Sequence, residues 1–154
     1  MGTIIAICIS EKKGTRKHPV PCAQLLVAHG VENDAHAGNG PRQVSLLSFE
    51  KIEDFKKQGA IVSYGDFGEN LVVDGIDFAS LPLGAQLTAG DAILELTQHG
   101  KECHHRCAIY HAMGDCIMPK QGVFAKVLKS GMIREGDAMT FCLQNAAEET
   151  PCTP

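Results

Sequence analysis

Gly84-Ala85-Gln86-Leu87-Thr88-Ala89-Gly90-Asp91-Ala92-Ile93-Leu94-Glu95-Leu96-Thr97-Gln98 is the stretch that decides the fold. Apolar residues alternate with polar ones on both sides of Gly90-Asp91, which reads as two strands joined by a tight turn. A second stretch has the same form: Gly131-Met132-Ile133-Arg134-Glu135-Gly136-Asp137-Ala138-Met139-Thr140-Phe141-Cys142-Leu143-Gln144. Again Gly-Asp precedes an alternating strand that ends in Gln. Small barrels close with such elements, because the turn reverses the chain while alternation keeps one face inward.

Working outward, Thr3 to Ile9 is a short β-branched run, expected as a buried strand. Ala23 to Ala28, Gln43 to Leu47, Leu71 to Val73 and Val123 to Leu128 read as further strands, the last entering a final hairpin. Ser48 stands as an N-cap before Phe49 to Gln58, with lysines late and Gly59 past the end, which predicts a helix. Phe49, Ile52 and Phe55 give that helix one apolar stripe. The sum is a mainly-β chain: a small closed or partly open barrel of about eight short strands with one or two inserted helices. Residues 1–144 are expected to form a single domain and 145–154 a disordered tail.

Composition excludes several function classes. The net charge of -4 and the lack of Trp leave neither a basic footprint nor a stacking surface for nucleic acid. The cluster Lys12, Lys13, Arg16, Lys17 is expected as a solvated loop. No export signal or membrane-length apolar run is present, so the expected setting is the cytoplasm, with cysteines as thiols, ligands or catalysts rather than disulfides.

Chemistry concentrates after Gln98. Three of the seven cysteines and four of the seven histidines lie between Gln98 and Cys116. Cys103 follows Lys101 and precedes His104, His105 and Arg106, cations that favour a thiolate able to accept a sulfane sulfur or to ligate a metal. Cys107 and Cys116 are candidates for resolving thiols. A structural zinc on Cys103, Cys107, Cys116 and a histidine is a rival reading, although the paired Cys-x2-Cys spacing is missing. A second loop, Asn33-Asp34-Ala35-His36-Ala37-Gly38, sets a carboxylate two residues from an imidazole, with Arg42 close behind. Arg42 suits phosphate or carboxylate, and His36 suits acid–base work or donation to an anion. The alternative is a turn in which Asp34 and His36 satisfy the loop backbone.

The ordered motifs Asn33-Asp34-x-His36-x-Gly38, Arg42-Gln43-Val44-Ser45-Leu46-Leu47, Gly68-Glu69-Asn70-Leu71, Leu83-Gly84-Ala85-x-Leu87-x-x-Gly90-Asp91, and Thr97-Gln98 running into Cys103 resemble a stand-alone MOSC domain. That family takes its name from the C-terminal domain of molybdenum cofactor sulfurases. The resemblance spans about residues 3–143 and implies a β-barrel-rich fold with a reactive cysteine at Cys103. That cysteine would carry sulfur as a persulfide, in a sulfurtransferase-type activity, or ligate molybdenum. It implies that the anionic molybdenum cofactor (molybdopterin) meets Arg42, His36, Asn70 and Asp34. No pyridoxal-phosphate desulfurase domain accompanies it, so the implied partners are a separate cysteine desulfurase-type donor and a molybdoenzyme or cofactor-maturation acceptor. A carrier that holds the cofactor on Cys103 without turnover is the alternative the resemblance leaves open.

Overall fold

The computed structural model describes residues 2–12, 17–35, 37–40, 42–59, 61–100 and 122–142. The order is β1 (Gly2–Ile9), β2 (His18–Val20), β3 (Cys22–Leu26), β4 (Gly30–Val31), β5 (Val44–Ser48), α1 (Phe49–Lys57), β6 (Leu71–Asp74), a 3-10 turn (Phe78–Ser80), β7 (Gln86–Ala89), β8 (Ala92–His99), β9 (Val123–Lys129), β10 (Gly131–Arg134) and β11 (Ala138–Cys142). Seven strands close a barrel in the order β11-β7-β8-β9-β5-β6-β1, with β1 pairing back to β11 and β2 attached to the far half of β1. A second sheet, β10-β3-β4, lies beside it. The mainly-β barrel expected from the sequence is what forms. No helix among the described residues is long and apolar enough to cross a membrane.

Alternation builds two cores from the same strands. Ile4, Ile7, Leu46, Leu71, Val73, Leu87, Leu94, Leu96, Val123 and Ala125 fill the barrel interior. Ala6, Cys8, Leu47, Val72 and Phe124 face outward and are covered by Ile52 and Phe55 of α1, with Phe67 beside them. These strands therefore carry apolar residues on both faces, as β5 and β6 must under a crossover helix. β5 and β6 pair in parallel, which requires the chain to cross over between them, and α1 is that crossover. A bulge between Ile4 and Ala6 lets β1 serve both cores.

The hairpin at Gly90-Asp91 forms, with Leu87 opposite Leu94 and Ala89 opposite Ala92. The second stretch differs from expectation. β10 pairs with β3, whereas β11 pairs with β7 and β1, so Gly136-Asp137 turns a corner between sheets and makes no hairpin. The corner is pinned from outside: Glu135 N donates to Pro21 O (3.1 Å), Gly136 N to Ile4 O (2.8 Å), and Ile4 N to Asp137 O (2.9 Å). Ser48 also departs from its expected role. It sits at the helix start, but its hydroxyl donates to Ile76 O at 2.6 Å rather than capping α1. The buried Ser48 hydroxyl is thereby committed to the Ile76–Phe78 turn, satisfying the Ile76 carbonyl and accepting from Phe78 N (3.4 Å). Cys142 is disulfide-bonded, against the expectation of thiols; Cys8 and Cys22 are free. The expected tail, 145–154, lies outside the described residues.

Candidate functional site

The site forms on the outer face of the barrel, where the helix-covered core ends. Strand register creates it. Ser45 of β5 lies opposite Phe124 of β9, and Phe124 lies opposite Gln98 of β8. Three side chains thus form a row across adjacent strands. Lys17, Arg42, Gln43, Ser45, Gly68, Asn70 and Phe124 line a cavity of about 210 Å³ at this place.

Asp34 and Asn70 organise its floor. Asp34 Oδ1 accepts from Lys17 Nζ (2.7 Å) and from Ser10 N (3.0 Å), and its Oδ2 accepts from Asn70 Nδ2 (3.0 Å). Burial alone pushes the Asp34 carboxyl upward, but Lys17, Ser10 N and Asn70 together outweigh it and hold it below the usual carboxylate range. Lys17 is 4% exposed, so the expectation of a solvated lysine is corrected: an internal carboxylate draws it in. A Cβ on Gly65 would collide with Lys17 O, so the turn before Gly68 must pass at that point as glycine. Asn70 Nδ2 also reaches Cys8 O (3.0 Å), while Asn70 Oδ1 accepts from Ser45 N (3.0 Å). The Ser45 hydroxyl donates to Gly68 O (2.9 Å) and accepts from Asn70 N (2.9 Å), which leaves it spent.

Arg42 supplies the accessible cation. Its Nε donates to Gln98 Oε1 at 3.1 Å, and its guanidinium carbon lies 5.3 Å from the centre of the Phe124 ring. Among the described residues nothing accepts from its two terminal amino groups. One bidentate oxyanion suits such a fork. Between the cavity-lining Gly68 and Asn70 in the chain, Glu69 is fully buried. Its Oε1 accepts from Phe67 N (3.1 Å), its Oε2 has no partner among the described residues, and burial pushes its pKa up to about 7. Burial, and then Glu69, push the Cys8 thiol up to about 12, so Cys8 is a core thiol rather than a nucleophile.

Of the residues singled out by sequence, Arg42 and Asn70 line this one cavity, and Asp34 lies behind its lining, bonded to Lys17 and Asn70. His36, Lys101, Cys103, His104, Arg106, Cys107 and Cys116 lie outside the described residues, as do the ligands of the zinc reading. Among the described residues no three His, Cys, Asp or Glu side chains converge on a metal position. The sequence reading did not pick out Lys17, Ser45, Phe124 or Gln98 as site residues. Ser45 and Phe124 carry the one signal that could have found them, a phase in β5 and β9 opposite to the interior residues Leu46 and Ala125.

The class the fold defines is a seven-strand closed barrel with a filled interior and a polar pocket on its outer wall. Residues 32–140 match the MOSC domain family, and the chain belongs to it. The family is associated with molybdenum-cofactor-related functions. Solved structures agree in fold. The YUAD protein from Bacillus subtilis superposes with a TM-score of 0.74 at 18% identity, covering 90% of this chain and 94% of its own. YiiM from Geobacillus stearothermophilus gives 0.72 at 22% identity, covering 92% and 75%. YiiM from Escherichia coli gives 0.67 at 18%, covering 94% and 71%. No curated protein sequence matches significantly.

Proposed function

We propose that this MOSC protein is a sulfur carrier associated with the molybdenum cofactor, with Cys103 as the accepting thiol. One observation supports it above others: Arg42 of the oxyanion cavity bonds Gln98, five positions before Cys103 in the chain. A thiol so placed in sequence, flanked by Lys101, His104 and Arg106, belongs beside an anionic partner rather than in a core.

In this reading the Cys103 thiolate attacks the terminal sulfur of a desulfurase persulfide. A new S–S bond forms on Cys103, the old one breaks, and the desulfurase cysteine leaves as thiolate. Cys107 or Cys116 can then attack the Cys103 sulfur. That step makes a disulfide within the chain and releases hydrosulfide, the two electrons coming from the pair of thiols. The molybdenum cofactor is the acceptor rather than a resident group. Its phosphate fits the Arg42 fork and the cavity of about 210 Å³, which is smaller than ordinary cavities for whole organic ligands. His36 is the further anion-facing candidate, while Asp34 and Asn70, bonded to each other, hold the floor. A cysteine desulfurase and a cofactor-maturation or molybdoenzyme partner in a reducing cytoplasm are the matching donor and acceptor.

Intact-mass spectrometry after incubation with a cysteine desulfurase and cysteine tests this. The double variant Cys107→Ser, Cys116→Ser should gain one sulfur atom, Cys103→Ser none, and wild type should show either that gain or the two-hydrogen loss of the internal disulfide. Native wild-type protein that stays unmodified beside an active desulfurase overturns the proposal. Molybdenum and pterin retained through purification, and lost in Cys103→Ser, would instead favour the carrier role.

A further inference from the structure

We infer that Gln98 is a positioning residue that sets the Arg42 guanidinium for two-point capture of a tetrahedral oxyanion. The inference rests on the reading of the outer cavity as an oxyanion site. It starts from an irregularity in β8. Ala92, Leu94 and Leu96 point into the barrel, and strict alternation would send residue 98 the same way. Instead, Leu96 lies opposite Ala125 and Gln98 opposite the next residue, Phe124, so Thr97 is the extra residue of a bulge. The bulge turns Gln98 to the outer face, beside the cavity. Bulges re-aim side chains in this manner near functional sites.

The Gln98 amide is fixed at both ends. Its Oε1 accepts from Arg42 Nε at 3.1 Å, and its Nε2 donates to Gly100 O at 3.1 Å. Gly100 is itself held, its N donating to Gly122 O at 2.7 Å. Rotating the amide by half a turn would set N–H against N–H at Arg42 and oxygen against oxygen at Gly100, so one orientation survives. With Nε engaged on Gln98 and the Phe124 ring beside the guanidinium, the plane of the fork is defined, and among the described residues nothing takes its two terminal amino groups, which face a ligand. Ser45 is saturated and Lys17 is paired with Asp34, so the fork is the principal ready donor set on the cavity wall. An oxyanion with two oxygens in one plane, such as a phosphate, is the class that exploits it.

The test is calorimetric titration with inorganic phosphate at constant ionic strength, on wild type, Gln98→Leu, Arg42→Lys and the double variant. Gln98→Leu keeps the guanidinium and its charge but frees its plane. Arg42→Lys keeps the charge but removes the fork. Each should weaken phosphate binding by roughly tenfold, and the double variant should be no weaker than Arg42→Lys alone, because Gln98 acts only through the guanidinium. Gln98→Met, closer in length, replaces Gln98→Leu should the latter melt early. Wild-type protein that binds no phosphate overturns the inference. So does Gln98→Leu protein that binds as wild type, or a Gln98 effect undiminished in the Arg42→Lys background. Sulfur loading on Cys103 is scored separately on the same proteins. Loading without a Gln98 effect removes only this inference, and a Gln98 effect without loading removes only the sulfur-carrier function.

Discussion

Glu69, between the cavity-lining Gly68 and Asn70, sets a pH dependence by itself. Its carboxyl is fully buried, with one oxygen bonded to Phe67 N and the other unpartnered among the described residues. Burial is the main cause of a pKa raised from 4.5 to about 7, only partly offset by backbone donors. The folded state therefore holds a proton that the unfolded chain releases between these values. Stability from this group is fully present below pH 4.5 and is lost as pH rises to about 7, and not in the reverse direction. At roughly 1.4 kcal/mol per pKa unit, the loss amounts to about 3 kcal/mol. Urea unfolding of wild type should show that decline, and Glu69→Gln, uncharged throughout, should flatten it. A Glu69→Gln profile parallel to wild type would place the slope elsewhere. Asp34 acts in the other sense: its lowered pKa gives stability above the ordinary carboxylate range that is lost as pH falls through its folded value. Neither shift was legible in the sequence. Asp34 was visible as a carboxylate near Arg42, but only the fold brings Lys17 to it from a run that looked solvated.

At the scale of elements, α1 is the piece that makes the outer face usable. Its one apolar stripe was read from the sequence, and Ile52 and Phe55 do cover the outer core. What the stripe could not say is that α1 joins two parallel strands, because parallel pairing is a property of β5 and β6 together. Phe55 packs on Phe67 with ring centres 5.8 Å apart, and Phe67 precedes the Gly68-Glu69-Asn70 turn at the cavity. Phe55→Ala should cost about 3–4 kcal/mol in urea unfolding, through lost burial and the cavity left behind. Ile61→Ser, at a fully exposed position, should be near neutral. Equal effects would mean that α1 is not packed as described. The remaining misreadings share a cause. β2 contains Pro19 and β4 is two residues long inside a Gly-rich loop, so neither has a periodic signature; both exist because β1 and β3 offer them a free edge.

For the whole molecule, closure is what separates a filled interior from a functional exterior. The interior is packed with aliphatic side chains, so ligand chemistry must take place on the wall, and the wall keeps its shape only if the barrel is shut. The β1–β11 seam that shuts it is short: Gly2 opposite Met139 and Thr3 opposite Ala138, continued by Ile4 N donating to Asp137 O at 2.9 Å and Gly136 N to Ile4 O at 2.8 Å. Gly2 is required there for space rather than for φ, since a Cβ would collide with the Asp74 carbonyl oxygen and press on Ile76. The backbone oxygen cannot swing aside as a side chain would, because β6 is held between β1 and β5. Gly2→Ala should therefore cost about 2 kcal/mol, a fall in Tm of about 4–8 °C for a domain of this size. Gly38→Ala, where an added Cβ meets nothing within 4 Å, should melt as wild type does. Thermal melts of the two variants decide the matter. If Gly2→Ala melts with wild type, the seam contributes little, and the wall that carries Ser45, Phe124 and Gln98 must be held by the other six strand pairings alone.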